Sequence, residues 1–398
     1  MIHHLKKIVV ILILGLGIQA SGQYKEDALT IEDFYLDLAI RKYIDKPTGE
    51  LTKTDLESLT RFIAIGKGIT SLKGLEYAKN LTTLRLDNNH INDLSPLSGL
   101  VSLKVLGVNG NALETLQPLE NLINLEHLFF DNNEVSSICS LWRLQKLRGI
   151  SGNFNKIRSI EVAQHWKQLT HFNLAFNQLD DITALRGLTT LKGIWIPHNS
   201  VASIAAVSSL KELEILILEK NPVSDISPMK SLTKLVQVNL MNTKVKDFGP
   251  LSNLKNIGVL VLRQNQIKEL KFLEGLTNIE WLDLRENQIS TIDALKNLGR
   301  LKKLFLSGNH IKSILPMASL KNMDWVLLDH NKIDNLWPLY HLDGLTDVSV
   351  HGNPLDTTRE LTHMNKKVIQ NMKSKHKNIL SKGIEVNSIY QLAPSKKL

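Results

Sequence analysis

The sequence contains almost nothing that a disulfide-stabilised protein or a familiar enzyme would need. Cys139 is the only cysteine among 398 residues, so no disulfide can form within the chain. No nucleophile elbow, phosphate-binding loop or paired-carboxylate motif is present. Scattered serine, histidine and aspartate residues are expected by chance in a chain of this length. The sequence therefore predicts a non-catalytic protein without a cofactor.

A net positive charge is also missing from most of the chain, although the formal net charge of the whole chain is +9. Residues 366–398 hold eight lysines and a single acidic residue, Glu385. Lys6 and Lys7 add two further charges near the start, which leaves residues 23–365 formally neutral. Because no basic stripe runs along this long neutral part, we predict that the protein has no nucleic-acid partner.

The apolar stretch near the N-terminus is too short to span a membrane. Residues 8–18 are mostly aliphatic, follow Lys6 and Lys7, and precede the small residues Ala20, Ser21 and Gly22. A membrane span needs about 20 apolar residues, roughly twice this length. The pattern is typical of a secretory signal over residues 1–22. It predicts a secreted, periplasmic or cell-envelope protein.

A 22-residue repeat organises the rest of the chain. It is clearest in residues 81–91, Leu-Thr-Thr-Leu-Arg-Leu-Asp-Asn-Asn-His-Ile, in which Asn89 marks a position that recurs in register. The same position is occupied by Asn111, Asn133, Asn155, Asn177, Asn199, Asn221, Asn265, Asn287, Asn309, Asn331 and Asn353. Thr243 is the one exception in this series. Period and pattern match the leucine-rich repeat, in which each unit is a short strand and a return segment.

The residue pattern within each repeat predicts the architecture of a solenoid, or horseshoe. Alternation places Leu84 and Leu86 on the core side of a short parallel strand. The asparagine amide then satisfies backbone groups that the following turn would leave unpaired. Proline recurs at one position of the return segment, where a 3₁₀ turn tolerates its missing N–H; these residues are Pro96, Pro118, Pro228, Pro250, Pro316 and Pro338. We therefore expect a parallel sheet on the concave face, 3₁₀ or irregular return segments, and helical caps at both ends.

The caps follow from the need to cover the first and last exposed cores. Residues 23–58 are predicted to form a helical N-terminal cap, with one helix starting near Thr30 and a second capped by Thr52 or Thr54. Residues 59–355 hold about fourteen repeats of 22 residues. Residues 356–398 form a basic C-terminal cap helix and tail, in which Leu361, Met364, Val368 and Met372 have helical spacing.

The chain resembles the internalin-type, 22-residue class of bacterial leucine-rich repeat proteins. The resemblance covers about residues 31–355 and is specific at the junction between cap and first repeat. That junction reads Thr-Asp-Leu-Glu-Ser-Leu-Thr at 54–60, then Gly-Ile-Thr-Ser-Leu-Lys-Gly-Leu-Glu-Tyr at 68–77. The resemblance implies an extracellular recognition module whose concave face binds a protein partner. The same repeat class resembles eukaryotic regulators of protein phosphatases, which the predicted signal argues against.

Large apolar residues occupy strand positions predicted to face solvent on the concave side. They are Phe129, Trp195, Ile217, Trp281, Phe305, Trp325 and Leu327, and charged neighbours are Glu219, Arg263, Asp283 and Arg285. Aromatic and arginine side chains are frequent anchors of protein interfaces, and exposed apolar patches usually indicate contact. The alternative is that side chains on strands about 4.8 Å apart pack laterally on each other.

The sequence leaves the partner open between a protein and a glycan, and we expect a monomer. A purely structural role in the cell envelope is the competing function. The lysine-rich tail could contact a membrane surface or a polyanion, but a solvated cap over the last repeat is favoured. Asp329, His330 and His351 could converge from adjacent repeats, yet they lack a further strong ligand at a fixed spacing, so no metal site is predicted.

Overall fold

The computed structural model describes residues 28–355, 359–375 and 378–379. The predicted signal at 1–22 and residues 380–398 of the predicted tail lie outside these residues. The described part is dominated by one sheet of fifteen strands, ordered as they occur in the chain. Each pairing within this sheet is parallel, and neighbouring strands are offset by 22 residues throughout the repeats. This confirms the predicted solenoid.

The strands are three residues long within the repeats. Two short antiparallel strands, β1 (Ala28–Leu29) and β2 (Leu51–Thr52), precede the large sheet. The sheet itself consists of β3 (Arg61–Ile63), β4 (Thr83–Arg85), β5 (Val105–Gly107), β6 (His127–Phe129), β7 (Gly149–Ser151), β8 (His171–Asn173), β9 (Gly193–Trp195), β10 (Ile215–Ile217), β11 (Gln237–Asn239), β12 (Val259–Val261), β13 (Trp281–Asp283), β14 (Lys303–Phe305), β15 (Trp325–Leu327), β16 (Asp347–Ser349) and β17 (Asn378–Ile379). The middle residue of each repeat strand is buried in the leucine core.

The return segments are short 3₁₀ helices, as the recurring prolines predicted. They span Leu75–Tyr77, Ser95–Leu97, Gln117–Leu119, Cys139–Arg143, Glu161–His165, Thr183–Leu185, Ala205–Ser209, Ser227–Met229, Gly249–Asn253, Lys271–Leu273, Asp293–Leu295, Leu315–Ser319 and Trp337–Leu339. Within residues 81–355, all of which are described, no helix exceeds five residues. A 22-residue unit has no room for more, because the strand and two turns use most of its length.

The N-terminal helices differ slightly from the predicted ones. Helix α1 (Phe34–Tyr43) is capped by Asp33 rather than started at Thr30. One carboxylate oxygen of Asp33 accepts the N–H of Leu36, and the other accepts hydrogen bonds from Thr70 and the N–H of Ser71. Burial raises the pKa of Asp33, but these hydrogen bonds outweigh it and hold the pKa below its usual value. Asp33 therefore ties the cap to the first repeat, which a helix-capping pattern alone does not reveal.

The second cap helix and the C-terminal helix cover the two ends of the array. Helix α2 (Lys53–Glu57) has Thr52 as its N-cap, one of the two predicted residues, with Asp55 completing a capping box. Helix α3 (Arg359–Lys375) buries Val368 against the core. Its Asn365 donates to the carbonyls of Asp334 and Leu355 and accepts the N–H of Leu336. An asparagine of the cap thus satisfies backbone groups that a further repeat would otherwise cover.

The repeated asparagines form a hydrogen-bonded ladder through the turns. Each side-chain Nδ2 donates to the carbonyl three residues earlier and to the carbonyl 25 residues earlier, in the preceding repeat; Asn89, for example, reaches Leu86 and Ala64, both at 2.8 Å. Asn133, Asn221 and Asn331 repeat this pair of bonds. Except in Asn265, the amide oxygen accepts the N–H found 20 residues earlier, that of Ile69 in the case of Asn89. Each amide therefore joins two repeats.

The residue immediately before each asparagine position adopts the left-handed conformation. Its φ is positive in every repeat, from Gly66 and Asn88 to His330 and Gly352. Glycine and asparagine tolerate this conformation, whereas Phe154 and Phe176 adopt it against a steric penalty of about 1 kcal/mol each. The ladder is strong enough to impose this backbone whatever the side chain.

Asn89→Ala should lower the free energy of unfolding by about 1–3 kcal/mol, because it leaves buried backbone groups of two repeats without a partner. Asn92→Ala is the matched control, since Asn92 is exposed in the same repeat. Urea denaturation followed by circular dichroism measures both variants. Equal stabilities of the two variants would contradict the role of the ladder.

Candidate binding surface on the strands

The strand face is the side of the large sheet turned away from the leucine core. The first and third residues of each strand project from it, because successive side chains of a strand alternate between faces. Equivalent residues of neighbouring repeats are paired in register, as in Gly193, Ile215 and Gln237. Side chains in one column are therefore about 4.8 Å apart and able to contact each other.

The first cluster of predicted site residues lies on strands β6 to β9. Phe129 stacks on His127 with ring centroids 6.3 Å apart, and the guanidinium of Arg85 lies 5.5 Å from the Phe129 ring. Trp195 stacks on His171 at 5.9 Å. Phe129 and Trp195 are half-buried and three strands apart, so the structure does not bring them into direct contact.

Gly193 allows Trp195 to lie flat along its own strand. A Cβ at this position would collide with the six-membered ring of the indole. Asn173, which is paired in register with Trp195, has a buried side-chain oxygen without a hydrogen-bond donor within the described residues. This part of the strand face therefore presents the flat ring of Trp195 beside an unsatisfied acceptor.

A further aromatic surface, which was not predicted from the sequence, lies along the turns beside these strands; we call it the aromatic edge. We define it as Phe154, Phe176 and His198, the left-handed residues of the turns after β7, β8 and β9. Their rings are stacked, with centroids 4.2 Å apart for the two phenylalanines and 3.9 Å apart for Phe176 and His198. Phe154 and Phe176 are nevertheless 49% and 38% exposed. The sequence does indicate this surface, because the position before each repeated asparagine holds phenylalanine here and mainly glycine, asparagine or polar residues in the other repeats.

The second cluster is formed by Trp281, Phe305 and Trp325 on β13 to β15. The ring of Phe305 contacts Trp281 at 6.1 Å and Trp325 at 5.0 Å, edge-to-face in both cases. Lys303 lies 5.4 Å from each indole ring. Both indole N–H groups are buried and have no acceptor within the described residues. Leu327 is half-buried on the same strand as Trp325.

The predicted charged residues are largely paired. Arg285 forms an ion pair with the buried Asp283 at 2.6 Å and lies over the Phe305 ring at 5.2 Å. Arg263 pairs with Glu286. Glu219 is buried and accepts a hydrogen bond from Asn239 at 3.0 Å. These groups fix the positions of the aromatic residues and leave little free charge at the centre of the face.

Four of the eleven predicted site residues are buried, namely the apolar Phe305 and Ile217 and the charged Glu219 and Asp283. Phe305 is fully buried and Ile217 is 5% exposed, so the prediction that they project into solvent is wrong. Both lie on the expected face, and the rings of Trp281 and Trp325 on the neighbouring strands pack against Phe305. Lateral packing, the alternative left open by the sequence, therefore applies to these two residues.

The histidines of this face are held in their neutral form. Burial lowers the pKa of His171, and the nearby His127 and Lys192 lower it further. Burial also lowers the pKa of His127, with Arg148 adding to the effect and Glu126 opposing it. Both rings therefore behave as neutral aromatic surfaces near neutral pH.

The residues considered for metal binding serve the turns instead. Asp329 accepts hydrogen bonds from Ser307, Ser349 and the N–H of His351. The rings of His330 and His351 meet edge-to-face at 5.5 Å. Among residues 28–355, 359–375 and 378–379, no three His, Cys, Asp or Glu side chains are grouped so as to hold a metal ion. Within the same residues, no helix has the length and apolar character needed to cross a membrane.

Comparisons with known proteins agree with this architecture. Residues 255–311 match the family described as leucine rich repeat, and residues 79–121 match the one described as leucine rich repeats, two copies. The crystal structure of an internalin (InlF) from Listeria monocytogenes is 30% identical in sequence with a TM-score of 0.78. The match covers 79% of this chain and 94% of that internalin. The chain belongs to the internalin family.

Two more distant structures share the fold of this internalin-type array. A leucine-rich repeat protein of Leptospira interrogans is 20% identical, with a TM-score of 0.68 over 82% of this chain and 97% of that one. The functional domain of InlJ from Listeria monocytogenes is 17% identical, with a TM-score of 0.60 over 79% and 78% of the two chains. The predicted resemblance to internalins is thus confirmed, and proteins of this family are typically protein-binding modules.

Phe305→Ala should destabilise the internalin-type array by about 3 kcal/mol, because it empties a fully enclosed site between two tryptophans. Phe129→Ala removes the same atoms from a half-buried site and should have a clearly smaller effect. Thermal and urea denaturation of the two variants measure the difference. If Phe129→Ala lowers the stability as much as Phe305→Ala does, the two rings contribute equally to the packing of the array.

Proposed function

We propose that the strand face binds a protein partner and performs no catalysis. The observation that carries this proposal is the exposed aromatic surface formed by Phe129, Trp195 and the aromatic edge. Phe154 and Phe176 stand in a strained backbone conformation with much of their surface in water, an arrangement that folding alone does not favour. Large exposed aromatic side chains on a rigid support are typical anchors of protein interfaces.

The second cluster is proposed as a further contact region on the same face. Trp281, Trp325 and Leu327 are half-buried, while the buried Phe305 supports the tryptophans from between. The ion pair between Arg263 and Glu286 and the ion pair between Arg285 and Asp283 hold the surrounding side chains in place. Buried Ile217 and Glu219 belong to the support of the face, so they are not expected to contact the partner directly.

A secretory route is part of the proposal. Its support is the charged, apolar and small-residue order of residues 1–22. We also propose that residues 23–58 cap the start of the array of residues 59–355 and that residues 356–398 cap its end. A glycan partner and a structural role in the envelope are the alternatives to a protein partner.

Trp195→Ala should weaken partner binding by about thirtyfold, equivalent to about 2 kcal/mol, with little change in the melting temperature. Trp142→Ala is the matched control, because Trp142 is 51% exposed on a return segment behind the sheet. The full chain and both variants serve as baits for affinity capture, and the captured partner is then titrated by calorimetry. Protease and glycosidase treatment of the captured material distinguishes a protein from a glycan.

The two variants also decide between function and packing. If Trp195→Ala no longer captures the partner and Trp142→Ala still does, the result supports binding by the strand face. Unchanged affinity for Trp195→Ala together with a large loss of stability would contradict it. Such a result would mean that the aromatic residues form a packing ladder only.

A further inference from the structure

The hydrogen-bonded edge of the array is interrupted behind the sheet, around Thr243. At a regular junction, the residue two positions after the asparagine makes two bonds to the next repeat. Ile91, for example, donates its N–H to Asn111 Oδ1 at 3.0 Å and accepts the N–H of Ala112 at 2.9 Å. These bonds close the space between adjacent return segments.

Both bonds are absent at the junction between Val245 and the repeat of Asn265. The amide oxygen of Asn265 is taken by the N–H and the hydroxyl of Thr243, at 3.0 and 2.8 Å. Within the described residues, the N–H and carbonyl of Val245 and the N–H of Gln266 have no hydrogen-bond partner. Gln264 and Gln266 both have positive φ, so the turn around Asn265 differs from the others.

The neighbouring junctions are weakened by the same stretch of sequence. Pro222 has no N–H to donate to the carbonyl of Val201, a bond that Ser200 makes to Leu179 one repeat earlier. Thr243 has no amide oxygen for the N–H of Val223. The junction at Ile267 is again regular, since it pairs with both Asn287 and Gln288. Pro354 removes the equivalent bond at the junction of Ile333, where the bond to Asn353 is kept. The loss of the asparagine acceptor, within the described residues, is confined to the consecutive junctions of Val223 and Val245.

A cleft of about 1070 Å³ opens where the bonds are missing. Val245, Phe248, Ile267 and Leu270 are 2–6% exposed, whereas their counterparts in the other repeats as far as Leu336 are at 0–1%. Phe248 and Phe272 both line it, and their rings are stacked with centroids 5.5 Å apart. The apolar core is therefore slightly more accessible at this junction than at the regular ones.

The rim of the cleft carries more positive than negative charge. Lys244, Lys246, Lys268 and Lys271 line it, against Asp247, Glu269 and Glu274. None of these lysines forms an ion pair within the part of the chain that the structure describes. A carboxylate of a bound ligand would find free partners here.

We propose that this cleft is a second binding site, which takes an extended peptide segment of a partner protein carrying a large apolar side chain and a carboxylate. The free N–H and carbonyl of Val245 match the alternating acceptor and donor of an extended backbone. Phe248 and Phe272 form the apolar floor, and the lysines bind the carboxylate. The site lies behind the sheet and is independent of the strand face.

A phage-displayed library of random dodecapeptides, selected on the full chain, tests this proposal. Enriched peptides are synthesised, and their affinities are measured by fluorescence anisotropy for the wild-type chain and for Thr243→Asn. The new amide restores the missing ladder member and frees Asn265 for Val245. We expect affinity to fall about tenfold or more, since backbone bonds and access are lost together. Thr243→Asn should also raise the urea midpoint, so a loss of binding cannot reflect unfolding.

Two further variants sharpen the test. Thr291→Asn makes the same substitution on an exposed residue at a regular junction and should leave affinity unchanged. The double variant Lys246→Glu, Lys268→Glu should weaken the binding of acidic peptides without changing the melting temperature. Failure to enrich any peptide that prefers the wild-type chain over Thr243→Asn would overturn the proposal. Peptides that are lost with Trp195→Ala but kept by Thr243→Asn would also overturn it, because they occupy the strand face.

Discussion

The asparagine amide in the turn is the interaction on which the rest of this structure depends. A 22-residue unit is too short to satisfy its own backbone, since a three-residue strand and a brief 3₁₀ helix leave the turn between them unpaired. One amide supplies both a donor and an acceptor and bonds to two repeats at once. Folding each repeat and stacking it on its neighbour therefore become the same event, as expected for a solenoid.

The candidate binding surface is a consequence of this constraint. The ladder fixes the strands in register and imposes a left-handed residue before each asparagine position. Side chains at that position stack in a column along the edge of the strand face, whatever their type. Phe154, Phe176 and His198 turn a feature of the backbone into an aromatic surface. The asparagine ladder also explains the cleft. Thr243 takes the amide oxygen of Asn265, so the bonds to Val245 are lost and the array opens behind the sheet.

Periodicity made the fold predictable, whereas the details of the surface depended on contacts that periodicity does not encode. Alternation identified the strand face, and with it the columns of Trp195 and Trp281. It could not show that Phe305 is enclosed by two tryptophans, because enclosure depends on rotamers in three neighbouring repeats. It also missed Phe154 and Phe176, which belong to the turns. The hydrogen bonds between Asp33 and the first repeat could not be predicted for a related reason, since its partners Thr70 and Ser71 lie 37 and 38 residues away.

Residue-resolved hydrogen–deuterium exchange of the turn amides tests the role of the ladder most directly. The N–H groups of Ile91, Leu113, Ile289 and Ile311 are each bonded to an asparagine amide of the next repeat and should exchange slowly. Those of Val223, Val245 and Gln266 have no such partner and should exchange faster by about tenfold or more. Uniform protection across all these positions would contradict the account, because it would show that the amides do not hold the repeats together.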